Sequence, residues 1–91
     1  MLIRTARGDY IEHSAISAYK VEKETGSYVD KPKSFVKVYL NNGDSVVITP
    51  LFRSECFASA ILSVLIYHIC QKISLNDNAA VIDVGEILKT E

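Results

Sequence analysis

Polar and apolar side chains alternate along two stretches in the first half of the chain, with the period of two that is typical of β-strands. The first stretch covers residues 15–23, AISAYKVEK. The opening segment, residues 2–7, is compatible with a short strand, and Gly8-Asp9 after it predicts a turn. The polar segment 24–34, which contains Gly26 and Pro32, predicts an exposed connector.

The second alternating stretch, SFVKVYLNNGDSVVIT over residues 34–49, predicts a β-hairpin. The alternating apolar positions on one face are Val36, Val38 and Leu40. Asn42-Gly43 is a dipeptide that supplies the positive φ angles of a tight turn. We therefore expect two paired strands over residues 35–40 and 45–49.

The stretch CFASAILSVLIYHICQ, residues 56–71, contains no formally charged side chain. Helix start signals precede it at Thr49-Pro50 and Ser54-Glu55, and the polar residues 76–78 follow it as a stop signal. We expect one long helix over about residues 52–73. The tail 79–91 is ambiguous, because residues 81–84 favour a strand and residues 86–89 are compatible with a short helix.

Together these elements predict an α+β fold, in which an antiparallel β-sheet of four to five strands carries the long helix on one face. A chain of 91 residues is short enough that residues 1–91 form a single domain. A domain of this size buries a modest core, and association with another chain is a common supplement to it.

Apolar residues cover about 200° of the predicted helix, whereas a surface helix needs an apolar stripe of roughly 100°. We expect the domain's own sheet to bury the first stripe, which consists of Ala58, Leu62, Leu65, Ile66, Ile69 and Ile73. The second stripe needs another cover, and it consists of Phe57, Ile61, Val64 and His68. A second copy of the chain, in a homodimer, is the favoured cover; a curled sheet or the chain's own tail are the alternatives.

A membrane span is the less favoured interpretation of this helix. The uncharged stretch is at the short end of the ~17–25 residues that a span requires, and it contains His68 and Gln71. The N-terminal residues lack the apolar segment of a secretory signal, so we expect a cytoplasmic protein. Two free cysteines agree with that compartment, because Cys56 and Cys70 lie about 21 Å apart along one helix, too far for a disulfide.

No residue pattern in the chain predicts an enzyme, a cofactor or a metal site. Cys56 and His68 are twelve helical positions apart, about 18 Å, so they cannot form a catalytic pair within one chain. The two cysteines and two histidines also lack the clustered spacings of zinc ligands. We expect both cysteines to be buried structural residues and His68 to be a packed histidine.

The remaining candidate surface is rich in lysine and tyrosine. Its members are Lys20, Lys31, Lys33, Lys37, Tyr28 and Tyr39. Basic residues interleaved with aromatic residues are typical of surfaces that bind single-stranded nucleic acid. The net charge of −1 and the interspersed acidic residues disfavour this interpretation. The sequence thus predicts a small non-enzymatic interaction or structural module that self-associates through its helix, with weak single-stranded nucleic-acid binding as the alternative.

Overall fold

The computed structural model describes residues 1–26 and 30–90, and these residues contain six β-strands and two α-helices. The strands are β1 (Leu2–Arg4), β2 (Tyr10–Glu12), β3 (Ile16–Lys23), β4 (Ser34–Leu40), β5 (Ser45–Val47) and β6 (Val81–Asp83). The helices are α1 (Glu55–Ser74) and α2 (Val84–Thr90), and a 3-10 turn covers His13–Ala15. The predicted α+β class is confirmed.

The described strands form two sheets of three strands each. In the first sheet β1 is central, pairing antiparallel with β2 and parallel with β6. The second sheet has the order β3-β4-β5 and is antiparallel throughout. This second sheet contains the strands that the alternating patterns predict. The expected single sheet of four to five strands is instead divided into two, and the parallel pair of the first sheet was not predicted.

The first sheet joins the two ends of the chain. Arg4 Nη1 on β1 donates to Asp83 Oδ2 on β6 at 3.0 Å, and the N-terminal amino group donates to the carbonyl of Asn78 at 2.7 Å. The predicted turn at Gly8 is confirmed: Gly8 has a φ of 97°, and the amide of Asp9 donates to Thr5 Oγ1 at 3.1 Å. A bond of 3.0 Å from the Ala6 amide to the carbonyl of residue 48 links this sheet to the second one.

The predicted hairpin is present as β4 and β5, with Lys37 opposite Val47. Its connection spans residues 41–44, as the predicted strand bounds imply, but only Gly43, not Asn42, has a positive φ, of 94°. The Asn42 side chain instead accepts a hydrogen bond from the Asp44 amide at 2.9 Å. A local side-chain bond of this kind stabilises the turn.

Helix α1 begins at Glu55, three residues later than expected, because Ser54 caps it by accepting a hydrogen bond from the Phe57 amide at 3.1 Å. The helix lies against the second sheet through β3 and β4 and against the tail through β6 and α2. Its buried residues are Ala58, Ile61, Leu65 and Ile69. They join one core with residues of both sheets and α2, including Ile3, Val36, Val38, Ile48, Ile82, Val84 and Ile87.

Candidate interaction surfaces

The orientation of α1 differs from the predicted one. Ile61, assigned to the second stripe, is 1% exposed in the core, whereas Ile66 and Ile73, assigned to the first stripe, are 37% and 53% exposed. At 100° per residue the buried positions lie on the midline between the two stripes. The assignment of one whole stripe to the sheet is therefore wrong, and Ile61 cannot belong to a surface for another chain.

The tail of the chain supplies part of the cover that the second stripe needs. His68 lines a groove of about 240 Å³ with Ile82 of β6 and Ile87 of α2. Val64 is half-buried and packs against the same core. Phe57 remains 38% exposed, and its ring meets that of Phe52 edge-on at 5.0 Å. The alternative in which the tail covers this stripe thus agrees with the fold around His68.

A different part of α1 is left in solvent, and we call it the outer face. It consists of Cys56, Ser59, Ala60, Ser63, Ile66, Tyr67, Cys70, Gln71 and Ser74, all of them exposed. Tyr67 is the most open of its large side chains, at 63% exposure. The only charged residues of α1 are Glu55 in the first turn and Lys72 in the last. The outer face therefore presents several helical turns to solvent without a charge.

Both cysteines lie on the outer face and are free and exposed, so the expectation that they are buried is wrong. The reason is the rotation of α1, which directs positions 56 and 70 away from the core. Within the described residues no group of three or more histidine, cysteine, aspartate or glutamate side chains is placed to hold a metal ion.

The predicted lysine–tyrosine surface is divided by the fold. Lys20 and Lys37 are directly opposite each other on β3 and β4, and their Nζ atoms lie 5.3 Å and 5.5 Å from the centroid of the Tyr39 ring. The Tyr39 hydroxyl donates a hydrogen bond to Glu22, and this bond raises the pKa of Tyr39 above its usual value. Lys20, Lys37 and Tyr39 therefore form one cluster, into which Glu22 brings a negative charge.

Lys31 and Lys33 lie on a different part of the surface, where they line a cavity of about 460 Å³ with Pro32 and Arg53. Arg53 was missed in the sequence, because it follows the hairpin and precedes the helix, and no local pattern connects it to the lysines. Tyr28, the last predicted member of the surface, lies outside the described residues.

Helix α1 is long and apolar enough to cross a membrane by length and composition, and 22% of its apolar window is buried in the fold. The packed core helix of a globular protein meets the same two criteria. The buried positions of α1 belong to the same core cluster as residues of both sheets.

Comparison of the chain with protein-family models, with curated proteins and with solved structures gave no match.

Proposed function

We propose that this protein is a small non-enzymatic interaction module that self-associates as a homodimer through the outer face of α1. One observation carries the proposal: residues 56–71 contain no charged side chain, although half or more of them are exposed. A surface helix of a monomeric domain normally places charged residues opposite its core. Their absence here leaves an adhesive surface for another molecule.

The exposed apolar side chains at the two edges of the outer face support the same proposal. Ile66 and Ile73 lie at one edge and Phe57 at the other, all more than a third exposed. Each large apolar side chain that becomes fully buried contributes about 1.5–3 kcal/mol. Burial of these side chains together with Tyr67 favours association over exposure to water.

A second copy of the chain suits this face because a two-fold interface brings identical surfaces together. A face without charge meets its own copy with no like-charge repulsion. Its residues are also divided by size, with Ser59 and Ala60 in the first half and Ile66 and Tyr67 in the second. Two antiparallel helices related by an axis at Ser63 place the small half of each against the bulky half of the other.

Light scattering after size exclusion tests the association. At tens of micromolar we expect twice the chain mass of 10.1 kDa, and we expect Tyr67→Glu or Ser63→Glu to give monomers, because each buries an unpaired charge in the interface. Ser45→Glu adds the same charge to an exposed residue of β5 and is the matched control, expected to remain dimeric. Ile61→Glu is unsuitable, since Ile61 is in the core.

A monomeric wild-type chain at these concentrations contradicts the proposal, as does a dimer that withstands both glutamates. An uncharged helix face can also bind a membrane surface, and pelleting with phosphatidylcholine vesicles tests this alternative. If the chain is a monomer that binds vesicles through residues of the outer face, this face binds membranes and does not mediate self-association.

Oxidative cross-linking tests the antiparallel arrangement, because an axis at Ser63 places Cys56 of each copy opposite Cys70 of the other. Disulfides require Cα atoms within about 7 Å. We expect a mixture of Cys56→Ser and Cys70→Ser chains to cross-link under mild oxidation, and neither variant to do so alone. Cross-linking of each single variant with itself indicates parallel helices and contradicts this arrangement, although not the dimer.

Weak single-stranded nucleic-acid binding is the second candidate, favoured by the position of Lys20 and Lys37 around the Tyr39 ring on one sheet face. Aromatic rings flanked by cations stack on bases and contact phosphates. A salt titration of binding to an oligothymidine strand tests it, because phosphate contacts give a steep loss of affinity with salt. Absence of binding at low salt, or equal binding by Tyr39→Ala, excludes this candidate.

A further inference from the structure

The cavity of about 460 Å³ at the start of β4 is lined by Lys31, Pro32, Lys33 and Arg53. Of these four lining residues, which belong to the described part of the chain, three are cations and none is acidic. Its volume falls within the ~300–1,000 Å³ of typical small-molecule sites. We call this place the basic cavity.

The backbone holds two of the cations next to each other. Ser34 and Phe52 form an antiparallel bridge through two hydrogen bonds of 2.7 Å, which places the adjoining residues Lys33 and Arg53 on neighbouring strands of chain. The Lys33 amide and carbonyl are also bound by Glu24, each at 2.9 Å. The fold therefore fixes the backbone positions of Lys33 and Arg53 next to each other.

Two acidic side chains near the basic cavity, those of Glu24 and Glu55, have other partners. Glu55 pairs with Lys23 at 3.0 Å, and the Glu24 carboxylate accepts the backbone bond from Lys33. None of the ion pairs within the described residues involves Lys31, Lys33 or Arg53. Cations on facing chain segments repel each other, and a bound anion relieves that repulsion.

We propose that the basic cavity binds a compact anion with two or more phosphate groups. A guanidinium binds phosphate oxygens in a bidentate manner, while ammonium groups act as point charges, so Arg53 with two lysines suits several linked phosphates better than one. Lys33 lies four residues, about 13 Å, along the chain from Lys37. The basic cavity is thus separate from the Tyr39 cluster. None of its lining residues belongs to the outer face of α1, so the proposed site does not depend on the proposed dimer.

An NMR titration of the full chain with inorganic tripolyphosphate, and with inorganic phosphate for comparison, tests this proposal. We expect amide shifts centred on Lys31, Lys33, Ser34 and Arg53, tighter binding of tripolyphosphate than of phosphate, and weakening by salt. Lys33→Gln and Arg53→Gln should each weaken tripolyphosphate binding at least about tenfold, the loss of one charge-assisted contact.

The matched control is Lys89→Gln, which removes an exposed lysine of α2 that pairs with Glu86 and does not line the basic cavity. We expect Lys89→Gln to bind as the wild type does. Equal weakening by all three variants indicates general attraction to positive charge and overturns the proposal. Absence of tripolyphosphate binding at low salt overturns it as well.

Two further probes distinguish a soluble ligand from a lipid headgroup. Vesicles of phosphatidylcholine with phosphatidylinositol bisphosphate present clustered phosphates on a membrane, and inositol trisphosphate presents them free. Vesicle binding that tripolyphosphate displaces and Arg53→Gln weakens supports a lipid-borne ligand; binding of the free compounds alone supports a soluble one. If Arg53→Gln leaves the binding of a probe unchanged, that probe binds outside the basic cavity. If oligothymidine binds and tripolyphosphate does not displace it, oligothymidine also binds elsewhere.

Discussion

Ile61 and Ile66 are identical residues five positions apart on α1, and their environments are opposite. Ile61 is in the core, whereas more than a third of Ile66 is exposed. Hydrophobicity alone ranks the two side chains equally, and only the rotation of the helix about its axis separates them. Their contributions to stability should therefore differ in a measurable way.

We expect Ile61→Ala to lower the free energy of unfolding by about 3 kcal/mol, since it leaves a cavity among packed residues. Ile66→Ala should lower it by less than about 1 kcal/mol, because an exposed side chain leaves no cavity. Urea unfolding at low protein concentration, where the chain is monomeric, measures both values. Equal losses would contradict this contrast, and a larger loss for Ile66→Ala would show that α1 is rotated as the sequence pattern predicts.

Tyr19 is a second residue whose position does not follow from its type, because its polar hydroxyl is buried. Its hydroxyl is buried within the described structure and has no hydrogen-bond partner there, and this burial raises the pKa of Tyr19 to about 12. The protonated form is thus favoured in the folded chain. The contribution of this group to stability is complete below the ordinary tyrosine pKa of about 10 and is lost as the pH rises from there towards 12.

We expect Tyr19→Phe to leave the free energy of unfolding at neutral pH unchanged or raised by up to about 1 kcal/mol, because it removes an unpaired buried hydroxyl. The variant should also lose less stability than the wild type between pH 10 and pH 12. Urea unfolding across that pH range gives both results. A clear destabilisation at neutral pH would instead indicate that the hydroxyl has a partner.

At the scale of elements, the junction of β6 and α2 depends on one carboxylate. Asp83 accepts from Arg4 of β1 with one oxygen and from the Gly85 amide, at 2.8 Å, with the other. The bond from Arg4 is the main reason that the pKa of Asp83 lies below its usual value. One side chain therefore connects the parallel strand pair to the first turn of α2.

Because the pKa of Asp83 is lower in the folded chain, its ionised form stabilises the fold above the ordinary aspartate pKa of about 4, and this stabilisation is lost as the pH falls through the lowered value. We expect Asp83→Asn to be less stable than the wild type at neutral pH and to lose less stability on acidification. Thermal unfolding from neutral to acidic pH measures the difference. Parallel pH profiles for the two chains would show that Asp83 does not contribute in this way.

At the scale of the whole molecule, folding and the proposed association are linked through mass action. A dimer that buries the outer face of α1 binds the folded chain and not the unfolded one, so its formation stabilises the fold. We expect the wild-type melting temperature to rise with protein concentration and that of Tyr67→Glu to remain constant. Scanning calorimetry over a wide concentration range measures this dependence. A constant melting temperature for the wild type contradicts a dimer of folded chains.

The sequence alone determined the local structure of this protein. Alternation of polar and apolar residues predicted β3 and the hairpin of β4 and β5, and the uncharged stretch with its capping serine predicted α1. These features are visible in sequence because strand and helix periods are set by neighbouring residues along the chain. The α+β class follows from the same patterns.

Tertiary structure alone decided which residues meet over long separations. The parallel pairing of β1 with β6 joins segments from opposite ends of the chain, and the bridge at Ser34 and Phe52 brings Arg53 to two lysines. The same packing rotates α1 so that β6 and α2 lie beside its His68 side and the outer face is left in solvent. A wide apolar arc is compatible with several rotations of a helix, and the choice among them depends on the shape of the sheets and tail that pack against it.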